Sequence, residues 1–193
     1  MRLAVFLLVA SSLFPSVSRA QVPVFEIATG ESKVQFNVKA SVAIVGVFEQ
    51  WDAKLTFTST AATSAVLDIQ IQAGSVNTGS GMKNGKLRGK DFFDVDENPL
   101  ITFKSTKIVP LGDDKFEADG DFTIRGVTKP EKLILTVLDD GTGSGTVQGT
   151  MAFDRKDYGM NSGIPFIRIA NRVEVTINFK ANRVSGPRVD LKQ

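Results

Sequence analysis

Apolar residues fall at every second position in run after run, with turn-forming residues between the runs. This alternation constrains the chain more than any other feature, because it lays one apolar and one polar face along an extended strand and does not fit a helix. Val34, Phe36 and Val38 share one face of 33–39, and Trp51, Ala53, Leu55 and Phe57 share one face of 51–58. The pattern recurs at Ala65, Leu67, Ile69 and Ile71, at Ile101 and Phe103, and at Phe116, Ala118, Gly120, Phe122 and Ile124. Further runs are Leu133 to Val137, Val147 to Phe153 through Gly149 and Met151, and Val173 to Ala181. With Phe25 and Ile27 they predict nine strands. Gly112-Asp113-Asp114 and Asp139-Asp140-Gly141-Thr142-Gly143 are short, polar and able to reach positive φ, as antiparallel hairpins require. Parallel crossovers need helices, and 79–93 is the single candidate. The fold class is therefore all-β and antiparallel, a barrel or sandwich with one short helix, and a barrel has the advantage of leaving no open edge.

Within the helical candidate, Gly81, Gly85 and Gly89 recur at four-residue spacing and fall on one face. Each loses about 1 kcal/mol of helix stability relative to Ala. One reading is that the stripe lets the helix approach the sheet or a ligand closely; the other is a loop with incidental glycines.

The first twenty residues have the form of a cleaved export signal: Arg2, an apolar run from Leu3 to Ala10, and the small-x-small site Ser18-Arg19-Ala20. The expected organisation is a signal peptide over 1–20 and one domain over 21–193, located in the periplasm. The apolar run falls well short of the roughly twenty residues that span a bilayer, so no stable membrane insertion is expected. Removing Arg2 and Arg19 from the 23 basic residues leaves 21, equal to the acidic count. A neutral chain without a basic run lacks the phosphate-neutralising surface of a nucleic-acid binder.

The chain contains no His and no Cys. That removes Ser-His-Asp and Cys-His nucleophiles, zinc sites built on imidazole or thiolate, and disulfides. Asp94-Val95-Asp96-Glu97-Asn98 places oxygens like a calcium loop, but Pro99 stands where Gly is required and Ser105 where a bidentate Glu is required. Gly79 to Lys86 fails as a phosphate loop, because Leu87 replaces the hydroxyl residue and no βαβ unit surrounds it. No metal or cofactor is expected. Carboxylates, Lys, Ser and Tyr158 remain for enzyme chemistry, with Asp91, Asp94, Asp154 and Asp157 the carboxylates that folding could bring together.

Gly46-Val47-Phe48, Leu87-Arg88, Asp91-Phe92-Phe93-Asp94 with Pro99, and Phe122 to Pro130 (FTIRGVTKP) follow one another in the order seen in YceI-like proteins, and Asp154 to Gly159 (DRKDYG) also fits. Over nearly the whole mature chain the sequence resembles that family. The resemblance implies a lipocalin-like, eight-stranded antiparallel β-barrel whose interior binds, stores or transports a polyisoprenoid or similar long-chain lipid without catalysis. A second copy of the chain is a further candidate partner. Many relatives carry His near the second strand, where this chain has Glu31-Ser32 and Lys39-Ala40, which bears on head-group preference.

On this reading the lining candidates are Phe36, Phe48, Trp51, Phe57, Ile69, Phe103, Phe122, Met151 and Phe153, with Leu87, Phe92 and Phe93 near a mouth. Arg88 and Arg155 are the head-group candidates, Lys90 and Arg125 are further cations nearby, and Arg125 is expected to make structural salt bridges to Asp91, Asp94 or Asp157. Two other functions compete: an enzyme acting on a prenyl lipid through Asp91, Asp157 or Tyr158, and a stress protein that sequesters hydrophobic compounds.

Overall fold

The computed structural model describes residues 21–41, 43–138, 143–163 and 168–192; the predicted signal peptide and residues 139–142 of one predicted turn lie outside them. The elements are β1 (Val24–Ile27), β2 (Lys33–Ala40), β3 (Ile44–Phe48), β4 (Trp51–Phe57), β5 (Ala65–Gln72) and β6 (Val76–Asn77), then α1 (Gly81–Arg88). After the helix come β7 (Leu100–Gly112), β8 (Lys115–Ile124), β9 (Val127–Leu138), β10 (Ser144–Asp154) and β11 (Ile169–Ser185). The nine predicted strands are all present, and β3 and β6 are added to them.

Every pairing between these strands is antiparallel, in the order β4-β5-β7-β8-β9-β10-β11-β2-β3-β6, with β1 also on β11. Eleven strands make eight staves. β1 and β2 both lie antiparallel along β11, as two halves of one stave. β3 and β4 are likewise halves of one stave: the first pairs with β2 and the second with β5, so the ends of the sheet are joined by a single strand. Short β6 covers β3 where β5 has left it.

Bending the wall requires extra residues. Inward positions of β3 are Ile44, Gly46 and Phe48, whereas those of β4 run from Trp51 through Ala53, Leu55 and Phe57. Glu49 and Gln50 shift the parity by one, so both halves keep an apolar face inside while the strand changes neighbours. β7 does the same between Ser105 and Lys107, after which Ile108 is the buried position. Where the β5–β7 ladder stops at Asp68 and Lys104, the buried Ser105 hydroxyl accepts the Leu67 N–H at 2.9 Å. At the break between β1 and β2, Ser32 Oγ accepts the Lys180 N–H at 2.9 Å and donates to Ala28 O at 2.7 Å. The β7–β8 and β8–β9 hairpins turn on Asp113-Asp114 (φ 50° and 56°) and Arg125-Gly126 (φ 54° and 72°), the positive pair that a two-residue primed turn needs.

Inside the barrel, glycine makes room for bulk. A Cβ at Gly120 would lie 2.6 Å from the Lys104 carbonyl oxygen and 2.7 Å from the Phe103 ring, and one at Gly149 would lie 2.4 Å from Ile177. The helical glycines differ. Gly81 and Gly85 face open space, with nothing within 4 Å of a Cβ, and Gly89 is the C-cap of α1. The close-approach reading of that stripe is therefore corrected; α1 is held by its ends, with Ser80 accepting the Lys83 N–H and Phe93 N donating to Leu87 O.

Opposite effects are expected at two glycines in chemical denaturation. Gly120→Ala destabilises by about 1–3 kcal/mol, because the Lys104 backbone cannot move aside; Gly85→Ala stabilises by up to about 1 kcal/mol. Ser105→Ala leaves the buried Leu67 N–H without its acceptor and costs about 1–3 kcal/mol in the same measurement.

Candidate functional site: two chambers in the barrel

Inward side chains at successive levels of the barrel do not fill it evenly. At the end remote from α1 they leave a chamber of about 180 Å³, lined mainly by Phe25, Leu55, Phe57, Ile108, Phe116, Leu135, Val137 and Val147. A second chamber, of about 70 Å³, lies at the α1 end among Phe36, Ile44, Phe48, Leu87, Phe92, Phe93, Phe122 and Phe153. Between them is a waist. Trp51 of β4 stacks on Phe179 of β11 with ring centroids 4.9 Å apart, and Ile69, Phe103, Leu133, Met151 and Ile177 are buried without lining either chamber.

The two ends are closed differently. At the α1 end Phe93 is wedged against Phe36 (6.4 Å, edge-on) and Phe48 (5.9 Å), and Phe92 and Leu87 are buried beside it. Arg125, set in the β8–β9 turn, donates to Lys90 O at 2.8 Å and also to Gly159 O, tying the segment after α1 to the turn after β10. At the opposite end the chain after β11 folds back as a strap. Ala62 N donates to Asp190 O (3.0 Å) and Asp190 N to Thr60 O (2.7 Å), which places Val189 and Leu191 on the chamber wall.

Of the predicted lining residues, the structure brings Phe36, Phe48, Leu87, Phe92, Phe93, Phe122 and Phe153 together around the smaller chamber and puts Phe57 in the larger one. Trp51, Ile69, Phe103 and Met151 are at the waist. Arg155 is buried beside the smaller chamber, where it donates to Ala170 O (3.2 Å), Ser162 O (2.9 Å) and Met160 O. Arg88 is exposed on α1, 3.3 Å from Val76 O, and lines neither chamber. Arg125 is structural as expected, but its partners are carbonyls and not the expected carboxylates, because its turn faces two backbone segments.

The residues left for enzyme chemistry are engaged separately. Tyr158 is fully buried edge-on against Phe122 and Phe153, and its hydroxyl donates to Glu131 Oε1 at 2.8 Å. Burial, and then that hydrogen bond, raise its pKa above the usual phenol range, so it remains a phenol at neutral pH. Asp91 accepts from Lys86 and from Ser162 Oγ (3.1 Å), which hold its carboxyl below the usual range. Asp157 pairs with Lys129 (3.6 Å), and Asp154 caps the Lys156 N–H (2.8 Å). None of these groups lines a chamber.

Sequence reasoning missed Arg183 and Arg188, both on the wall of the larger chamber. The signal for the first was available: Arg183 continues the inward parity of Ile177, Phe179 and Ala181. Nothing in the pattern of residues 187–191 announces the strap.

Comparison with known proteins agrees with this architecture. Two relatives, each described as a UPF0312 protein, come from Shewanella denitrificans (27% identical over 162 residues, 80% of this chain and 84% of the relative) and Pseudomonas fluorescens (29% over 147 residues, 71% and 73%). Among solved structures the chain is similar to Burkholderia cenocepacia BcnA, with a TM-score of 0.73 and 25% identity over 80% of this chain and 99% of BcnA. It shares its fold with a polyisoprenoid binding domain from Saccharophagus degradans, with a TM-score of 0.63 and 17% identity over 83% and 99% of the two chains. The profile of the YceI-like domain matches residues 25–181, and the chain belongs to that family.

Proposed function

We propose that this protein binds one long-chain, isoprenoid-type lipid or a similar amphiphile inside its barrel, and that it acts in the periplasm as a carrier or reservoir. The observation that carries the reading is the larger chamber. Inward side chains leave about 180 Å³ there, lined almost wholly by apolar groups and open at one end. An apolar cavity of about 150 Å³ is already enough to take up a small apolar molecule. Family membership and the shared fold with a polyisoprenoid binding domain support the same ligand class.

The energetics suit binding without special chemistry. Burying ten chain carbons contributes about 8 kcal/mol at roughly 0.8 kcal/mol per methylene. After the costs of association this places micromolar affinity within reach. Phe57 in the larger chamber, and Phe36, Phe48, Leu87, Phe92, Phe93, Phe122 and Phe153 around the smaller one, are the proposed contacts, with Trp51, Ile69, Phe103 and Met151 governing whether a chain passes between. Binding fits the family better than catalysis, and Tyr158, Asp91 and Asp157 have their own partners and line neither chamber.

Because Trp51 is the sole tryptophan of the chain, its emission reports on the waist without labelling. Prenyl lipids brominated along the chain are expected to quench it saturably, at one lipid per protein, and native mass spectrometry of protein taken from its own cells should find a bound amphiphile. A lipid-stripped protein that gives neither signal with added prenyl lipid overturns the proposal. Trp51→Ala removes the stack and joins the chambers, so the ratio of affinities for long over short prenyl chains should rise severalfold.

A further inference from the structure

The larger chamber is apolar along its length and cationic at its mouth. Along β11 the inward positions run Ile177, Phe179, Ala181 and then Arg183, so an arginine occupies a place that the rest of the strand reserves for apolar side chains. Its Nη1 donates to Gly186 O, while among the described residues its Nε and Nη2 have no partner. Gly186, at φ 79°, and Pro187 then reverse the chain, and Arg188 comes back onto the wall of the same chamber. Among the described residues Arg188 has neither a hydrogen bond nor an ion pair, and the nearby Asp190 carboxylate caps the Lys192 N–H at 2.9 Å.

At the other end the guanidiniums are anchored to backbone carbonyls. Arg155 commits Nε and Nη1 to three backbone carbonyls, and Arg88 donates to Val76 O and lines neither chamber. A single arginine at an apolar rim is often a stem laid along the wall with its head in water. Two on one mouth, with donors that have no partner among the described residues, match instead an apolar chain that ends in an anion, because guanidinium pairs with carboxylate or phosphate through parallel hydrogen bonds.

We propose that Arg183 and Arg188 form the head-group site of the larger chamber and select a single-chain amphiphile with an anionic head, a carboxylate or a phosphate monoester, whose chain runs toward the Trp51–Phe179 waist. The proposal rests on the lipid-binding reading above and turns the expected head-group end around, away from α1.

Three ligands with one chain and different heads test it: dodecanoate, dodecyl phosphate and dodecanol, each titrated at pH 8 into the lipid-stripped protein. Wild type should bind at least one of the anions about tenfold or more tighter than the alcohol, as charge-assisted hydrogen bonds predict. Which anion leads distinguishes a fatty acid from a phosphorylated lipid as the source. In the R183Q/R188Q double variant the three should fall within about twofold of one another, with dodecanol affinity unchanged, which also reports an intact chamber. Equal binding of alcohol and anions by wild type overturns the head-group site alone, as does a preference that survives in R183Q/R188Q or one abolished by R88Q. Binding of none of the three removes the lipid-binding reading and this site together.

Discussion

Closure of the barrel depends on backbone hydrogen bonds made by one strand that changes neighbours. Residues 44–57 pair with β2 through their first half and with β5 through their second, so two ends of an open sheet become one wall. Each half must still show its apolar side to the interior. The two residues at Glu49-Gln50 allow this, because one extra residue in an alternating strand restores the inward face after the bend. Polar side chains then repair the ladder where bending interrupts it: Ser105 serves Leu67, and Ser32 serves Lys180.

A closed wall fixes the diameter, and the side chains then decide how the space is divided. Glycines at 120 and 149 admit Phe103 and Ile177, and the Trp51–Phe179 stack completes a waist at mid-height. Above it the aromatic wedge of Phe93 leaves little room; below it the strap spans a wider opening with two hydrogen bonds to Thr60 and Ala62. The asymmetry of the ends follows from the elements available. One end has α1 and an arginine that staples two segments, and the other, among the described residues, is crossed by the extended chain that follows β11.

The strands were legible because alternation is a direct print of a two-faced wall, and the β7–β8 turn was legible because Gly112-Asp113-Asp114 tolerate positive φ. β3 was hidden, since Ala43 to Phe48 is apolar on both parities and shows no alternation. Inwardness was legible for Trp51, Ile69 and Phe57 alike, but height along the barrel axis was not. Height is set by register between distant strands, so the sequence does not separate waist from chamber. Arg125 shows the same limit: its charge suggested a carboxylate partner, whereas a tertiary turn presents it with carbonyls.

The bipartite staves leave one part of the wall unlike the rest. Near α1, β2 and β3 are joined by a full ladder; beyond the break, β1 and β4 run side by side along the larger chamber with no ladder between them among the described residues, and Phe25 and Phe57 meet there at 5.7 Å. Parting any other pair of staves means unzipping a row of backbone hydrogen bonds. Parting these two breaks side-chain packing, including the Phe25–Phe57 contact, but no ladder among the described residues. The seam beside the larger chamber thus rests on side-chain packing, while the β1–β11 and β4–β5 ladders hold the wall on either side of it.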